Sequence, residues 1–234
     1  MERCIAVIAA EEQELAGLEE FLIDAKRVAG PAGCVFLTGK CGSVQVVAMR
    51  CGIGKVNAAI GTQVLIDAYH PQALVNVGAA GALAPGLKVF DLVVSQDTVQ
   101  HDMNVKGLGY EPGIIPDQDE SYFKADGKLV QLAEDAGKAE GLEVHIGRIA
   151  SGDLFVSTQE DRQWIYNTFN AMCAEMEGAS VAHTCWRNQV PFVIVRSMSD
   201  TADEAADVSY AEFSAKAALQ AVQLLKRMII AWEA

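Results

Sequence analysis

Three carboxylates stand where a chain of this pattern does chemistry. Glu14 lies just beyond the apolar run Cys4–Ala9, Glu177 ends the segment Glu175-Met-Glu177, and Asp200 ends Arg196-Ser-Met-Ser-Asp200. An ionised side chain at the end of a buried strand needs a partner or a task. Each acid also has a plain structural alternative. Acids at a helix start complement its dipole by about 0.3–1 kcal/mol, Glu177 could cap a helix and Asp200 could form a turn. Together, three acids without histidines at metal-ligand spacing point to general acid/base chemistry on a neutral substrate.

Two glycine-rich stretches accompany them. Cys51-Gly-Ile-Gly-Lys-Val-Asn57 departs from a Walker A loop, since its first glycine is missing and Val56 follows the lysine, and from GxGxxG, since Asn57 takes the third glycine position. It either holds an anion on main-chain N–H groups or makes a tight turn. Asn76-Val-Gly-Ala-Ala-Gly81-Ala-Leu-Ala-Pro-Gly is a run of small residues, which either admits a ligand to the main chain or packs a crossover closely. Six cysteines and four histidines show neither CxxC nor HExxH spacing, so no metal, cofactor or redox pair is expected. His183 and Cys185, two apart on a helix, face different ways. The expectation is reduced, mostly buried thiols in a cytoplasmic protein.

The elements that must position these residues alternate along the chain. Strand patterns cover Cys4–Ala9, Val35–Thr38, Val44–Met49, Ala73–Val77, Leu92–Gln96, Val144–Ala150, Met172–Ala174 and Phe192–Ser197. Helical patterns cover Glu12–Leu22, Val56–Tyr69, Lys124–Glu140, Gly178–Gln189 and Tyr210–Ile230. No linker interrupts them, so one α/β domain over residues 1–234 is expected, a mixed sheet between helical layers. Ala73–Val77 and Phe192–Ser197 read as central strands buried on both faces. Ligands of such sheets sit beyond the carboxyl ends of the strands.

The 234 residues carry 18 Lys+Arg against 31 Asp+Glu, a net charge of −13. No basic patch is visible, so nucleic acid and anionic membranes are poor partners. The N-terminus lacks the pattern of a signal peptide, and no stretch reaches the roughly 20 apolar residues of a membrane span.

The order and spacing of Val7-Ile-Ala-Ala-Glu-Glu-Gln-Glu14, Gly52-Ile-Gly-Lys-Val56, Asn76 to Pro85, His101-Asp-Met-Asn-Val105, Ser151-Gly-Asp-Leu-Phe155, Glu175-Met-Glu177 and Val195 to Asp200 closely resemble the 5′-methylthioadenosine/S-adenosylhomocysteine nucleosidases of the nucleoside phosphorylase superfamily. The resemblance spans nearly the whole chain. It implies a three-layer α/β/α sandwich, a homodimer, and hydrolysis of the adenine N-glycosidic bond in methionine salvage and recycling of S-adenosylmethionine by-products. Carried over by position, Glu14 activates water and Asp200 protonates adenine N7. Glu177 binds the ribose hydroxyls beside Met176. Phe155 stacks on adenine, the Val156 main chain reads its N1/N6 edge, and Ser199 positions Asp200. Ala79 and Gly81 belong to the substrate wall. Ile53, Tyr210 and, from the partner subunit, Val105, Leu108 and Tyr110 build the apolar 5′-alkylthio slot. On this scheme burial holds Asp200 protonated while Glu14 stays ionised.

Three departures from the family pattern are visible. Glu11 replaces the usual Met; it either faces solvent or favours a polar or cationic 5′ substituent, as in S-adenosylhomocysteine. Ala79 replaces a common Ser near the catalytic water, which leaves water placement to main-chain groups. Phe90 replaces a common Gly, a change of packing. Rival functions are phosphorolysis, for which the loops offer little cation beyond Lys55 and Arg196, the related cleavage of 6-amino-6-deoxyfutalosine, and non-catalytic nucleoside binding.

Overall fold

The computed structural model describes residues 3–201 and 210–233. Strand β1 (Cys4–Ala9) is buried at every residue, as a strand covered on both faces must be. It lies between β4 (Val44–Arg50) and β5 (Ala73–Ala82), parallel to both. Beyond β4, the antiparallel strands β3 (Val35–Cys41) and β2 (Ile23–Ala29) form an open wing. On the other side β10 (Phe192–Met198) pairs parallel with β5 and antiparallel with β6 (Leu92–Gln100). From β6 the ladder continues through β8 (Val144–Ser151) and β9 (Ala171–Glu175) and returns to β5. Strands β5, β10, β6, β8 and β9 therefore close on themselves, and the short β7 (Tyr122–Lys124) adds to β6.

Helices cover both faces of this mixed sheet, as expected. Alternate residues of β1 divide between two cores: Ile5 and Val7 join Val75, Val193, Leu225 and Met228, whereas Ala6 and Ile8 join Val47, Leu65, Val181 and Ile194. The first core lies under α3 (Gly127–Ala139) and α6 (Tyr210–Glu233), the second under α2 (Lys55–Tyr69) and α5 (Gly178–Arg187). No helix among the described residues is long and apolar enough to cross a membrane.

Several expected boundaries move for local reasons. Helix α3 starts at Gly127 and not at Lys124, because the Asp126 carboxylate accepts the Leu129 N–H at 3.0 Å and caps it there. Helix α4 (Gln159–Phe169) has no counterpart in the sequence reading, although Thr158 caps it through the Asp161 N–H at 3.1 Å, a legible start signal. Strand β5 runs past its expected end at Val77 and takes the small residues in as far as Ala82.

The largest change falls at Glu12–Leu22. A 3₁₀ turn over Glu12–Leu15 is followed by a left-handed Gly17 (φ 87°) and a single helical turn, α1 (Leu18–Phe21). The kink replaces one continuous helix and turns Glu14 toward the sheet. A Gly→Ala exchange in a continuous helix stabilises by about 1 kcal/mol, whereas a Cβ at positive φ costs about 1–2 kcal/mol. Urea denaturation of Gly17→Ala is therefore expected to show a lowered midpoint; a raised midpoint contradicts the kink.

Candidate active site

The strand ends converge on a cavity of about 210 Å³. Of the residues named from the sequence, Glu14, Ile53, Ala79, Gly81, Phe155, Val156, Met176, Glu177, Ser199 and Asp200 line it. Glu14 reaches it from the 3₁₀ turn, Ala79 and Gly81 from the end of β5, Met176 and Glu177 from the turn between β9 and α5, and Ser199 and Asp200 from the exit of β10.

Glu14 is held by main-chain donors. Its Oε2 accepts from the Ala10 and Glu11 N–H groups at 3.0 and 2.9 Å, and its Oε1 from the Ala79 N–H at 3.1 Å. Glu11 is the N-cap of the turn and forms a reciprocal capping box with Glu14. Glu11 also lines the cavity, half-buried, so it is not simply turned to solvent. A Cβ on Gly78 would stand 2.8 Å from Glu14 Oε1, which explains a glycine at that point of β5. Burial pushes the Glu14 carboxyl above its ordinary value, against the N–H groups and Arg196 that favour the charge. Such a carboxylate takes up a proton more readily than an exposed one, as a general base requires.

Beneath the cavity lies a buried ion pair. The Arg196 guanidinium, 1% exposed, donates from Nε to Glu175 Oε2 at 3.1 Å and from Nη2 to both that oxygen and Asn76 Oδ1, the latter at 2.6 Å. Asn76 in turn donates to the Ile8 carbonyl at 2.9 Å, so four strands or strand ends meet at one cation. Glu175 also accepts from the Ser151 hydroxyl and from the Glu177 and Gly178 N–H groups at 3.1 and 2.7 Å. Burial opposes its charge, but Arg196 and these donors outweigh it and hold Glu175 below its ordinary pKa. Glu177 occupies the N-cap position of α5 without a side-chain cap bond, because the Glu175 carboxylate accepts from the first N–H groups instead.

Glu177 behaves oppositely. Burial first, and the neighbouring Glu175 charge second, push its carboxyl up to about 7 against Arg196 and one hydrogen bond from the Gly54 N–H at 2.8 Å. That bond also decides the Gly-rich turn. Gly52 and Gly54 are left-handed at φ 93° and 95°, the Gly54 N–H serves Glu177, and the Lys55 N–H serves Asp153 at 2.7 Å. Lys55 Nζ bonds to Asp102 at 2.6 Å and to Gln100 at 3.2 Å. The turn holds anions, and they are the protein's own carboxylates.

Asp200 Oδ1 accepts the Ala82 N–H at 2.8 Å, and its Oδ2 lies 2.5 Å from Arg162 Nη2. Arg162 also donates to the carbonyls of Ala82 and Thr201 at 3.2 and 3.1 Å. A guanidinium from α4 therefore sits on the carboxylate. Nothing in the sequence marks Arg162, which falls in a stretch where the sequence reading places no element. Arg196 and Glu175 were legible in principle, since a charge within the apolar run Phe192–Ser197 demands a buried counter-charge.

Val105, Leu108 and Tyr110 do not line this cavity within the chain, and Leu108 is 72% exposed. Phe155 is 79% exposed at the cavity's rim. The side chain of Tyr210 lies outside the described residues. Phe90 is a packing residue as expected: it stacks on Phe213 at 5.4 Å and carries Lys216 Nζ 3.9 Å above its ring, with φ at 74°, a left-handed backbone that suits a glycine. Among the described residues no cluster of His, Cys, Asp and Glu could hold a metal ion.

The family model described as the phosphorylase superfamily matches residues 4–230. The 5′-methylthioadenosine/S-adenosylhomocysteine nucleosidase of Geobacillus thermodenitrificans is 39% identical over 226 residues, 96% of this chain and 95% of the relative. The nucleosidase of that name from Neisseria meningitidis, solved with methylthio-immucillin-A, superposes with a TM-score of 0.91 at 37% identity, covering 98% of this chain and 99% of that one. The futalosine hydrolase of Helicobacter pylori superposes with a TM-score of 0.92 at 32% identity, covering 99% of each chain.

Removing one partner of a buried ion pair leaves the other charge stranded, at about 3–5 kcal/mol. Arg196→Met is expected to lose that much in guanidinium denaturation, and Arg196→Met with Glu175→Gln is expected to be more stable than Arg196→Met alone. Simple addition of the two single losses contradicts the pairing.

Proposed function

The chain belongs to the phosphorylase superfamily and, within it, to the 5′-methylthioadenosine/S-adenosylhomocysteine nucleosidases; from that premise we propose that it hydrolyses the N-glycosidic bond of these nucleosides. The bond between ribose C1′ and adenine N9 breaks with its electron pair leaving on adenine, through an oxocarbenium-like transition state. Asp200 delivers a proton to N7, so adenine leaves neutral. Water attacks C1′, and Glu14 takes its proton. Glu177 accepts hydrogen bonds from the 2′- and 3′-hydroxyls, and its charge stabilises the cationic ring. The products are adenine and the 5′-thio-substituted ribose.

The observation that carries hydrolysis over phosphorolysis is the commitment of every cation at the site. Arg196 serves Glu175 and Asn76, Lys55 serves Asp102, and Arg162 serves Asp200. Among the described residues a phosphate would find no free guanidinium at the cavity and would face Glu14. Phe155 stacking on the base, Val156 reading its edge, Ser199 steadying Asp200 and Met176 beside the sugar complete the substrate contacts. The exposed apolar side chains of Ile53, Leu108, Tyr110 and Phe155 support a homodimer in which Val105, Leu108 and Tyr110 of the partner subunit close the 5′ slot formed with Ile53 and Tyr210. Glu11 at the cavity wall supports a preference for S-adenosylhomocysteine, whose 5′ substituent carries an amino group. We place the enzyme in the cytoplasm, in methionine salvage.

Adenine release from 5′-methylthioadenosine, S-adenosylhomocysteine and 6-amino-6-deoxyfutalosine in phosphate-free buffer is the direct test. Turnover without phosphate is expected, and Glu14→Gln and Asp200→Asn are each expected to lose about 10²–10⁴-fold in kcat. A requirement for phosphate, or near-normal turnover in either variant, refutes the roles given. A second test follows from Glu177. Its carboxyl is raised to about 7, and the ionised form is the acceptor for two hydroxyls, so binding of 5′-methylthio-7-deazaadenosine is expected to weaken as the pH falls below about 7. The 2′,3′-dideoxy form of that ligand is expected to lack this dependence.

A further inference from the structure

Three of the sequence segments singled out above, Gly52–Val56, His101–Val105 and Ser151–Phe155, meet beside the cavity. Lys55, Asp102 and Asp153 close a ring of hydrogen bonds there. The Lys55 N–H donates to Asp153 Oδ1 at 2.7 Å, the Asp153 N–H to Asp102 Oδ2 at 3.0 Å, and the Lys55 ammonium to Asp102 Oδ1 at 2.6 Å. Gln100 Oε1 takes a further bond from that ammonium at 3.2 Å. Two glycines make room for the ring. A Cβ on Gly54 would stand 3.0 Å from Asp153 Oδ1, and one on Gly152 would stand 2.5 Å from the His101 ring and 3.2 Å from Asp102 Cγ. The side chains of Lys55 and Asp102 are 18% and 27% exposed, a partial shielding that favours a charge-assisted bond. Burial opposes the Asp102 charge, but the Lys55 ammonium and the Asp153 N–H outweigh it and hold that carboxyl below its ordinary value.

The ring stands between two substrate contacts. On one side the Gly54 N–H, one residue before Lys55, holds Glu177 at 2.8 Å. On the other, Asp153 begins the loop that brings Leu154, Phe155 and Val156 to the cavity wall and ends where Thr158 caps α4. Leu154 and Phe155 are 46% and 79% exposed, so packing within the chain does little to place them. The anchor at Asp153 sets where the loop departs. We infer that Lys55 is a positioning residue for base recognition: through Asp102 and Asp153 it fixes the loop of Phe155 and Val156 relative to Glu177, so that adenine and ribose are met together. The inference rests on the proposed nucleosidase function. Gly52 and Gly54 are left-handed, and the turn they make sends successive N–H groups to the two sides, Gly54 to the sugar carboxylate and Lys55 to the base loop. The Lys55 side chain then closes the second side through Asp102. Without the ammonium the loop loses its charged tie, while Glu14, Glu177 and Asp200 keep their own hydrogen bonds. The cost therefore falls on binding of the base more than on cleavage of the bond.

Lys55→Met isolates the tie. Its KM for 5′-methylthioadenosine is expected to rise about tenfold while kcat falls less than about threefold. Binding of 5′-methylthio-7-deazaadenosine, followed by titration calorimetry, is expected to weaken by about the same tenfold. 5-Methylthioribose, which has no base, is expected to bind the variant as it binds the wild type, which also reports that the variant is folded. In a Phe155→Ala background Lys55→Met is expected to weaken the nucleoside by less than about a further threefold, because the side chain it positions is already gone. Unchanged affinity for the nucleoside, an equal loss for 5-methylthioribose, or losses that multiply with Phe155→Ala overturn the inference. Absence of adenine release by the wild type overturns the underlying function instead, so the two failures are distinguishable.

Discussion

The ion pair between Arg196 and Glu175 is the constraint on which the site depends. A guanidinium at 1% exposure is sustainable only with its counter-charge and its remaining donors satisfied, because desolvation costs several kcal/mol per ion. Glu175, Asn76 and the main chain meet that demand, and in doing so they fix the ends of β9, β5 and β10 relative to one another. The same arrangement separates the acids by environment. Glu175 is charged and capping α5, Glu177 beside it is pushed up by burial and by the Glu175 charge, and Glu14 is raised by burial while three N–H groups orient it. Like side chains acquire unlike proton affinities because burial raises Glu14 and Glu177, whereas at Glu175 Arg196 and the hydrogen-bond donors outweigh burial.

Small residues are the second condition. Gly78 leaves room for Glu14, and a Cβ on Gly81 would come 3.5 Å from Asp200 Oδ1. The strand that carries them offers its Ala79 and Ala82 N–H groups to those same two acids. The end of β5 therefore acts as a donor row for the two cavity carboxylates. This is also why Ala79 needs no hydroxyl to take part: its main chain does the work.

Most of the fold and the three principal acids were legible in the sequence, for identifiable reasons. Apolar runs such as Cys4–Ala9 and Phe192–Met198 are buried on both faces, so pattern and burial coincide. The Glu12–Leu22 segment was misread because its helical periodicity is interrupted by one left-handed glycine, whose conformation no pattern of polarity reports. Strand β2 escaped notice because most of it is exposed and carries no alternation. Among site residues, Arg162 was invisible: its importance arises from a partner 38 positions away, and only the fold brings the two together. Val105, Leu108 and Tyr110 were named by resemblance alone, and within one chain they stand away from the cavity.

Neighbouring glutamates differ in proton affinity because Arg196 and its accompanying donors outweigh burial at Glu175, whereas burial and the Glu175 charge prevail at Glu177. Nuclear magnetic resonance of the side-chain carboxyl carbons in protein labelled with ¹³C-glutamate, assigned by single Glu→Gln variants and followed from pH 5 to 8.5, tests it most directly. The account predicts that Glu175 shows the shift of a carboxylate throughout that range while Glu177 titrates near 7. Titration of Glu175 and Glu177 together, or ionisation of Glu177 across the whole range, would contradict it.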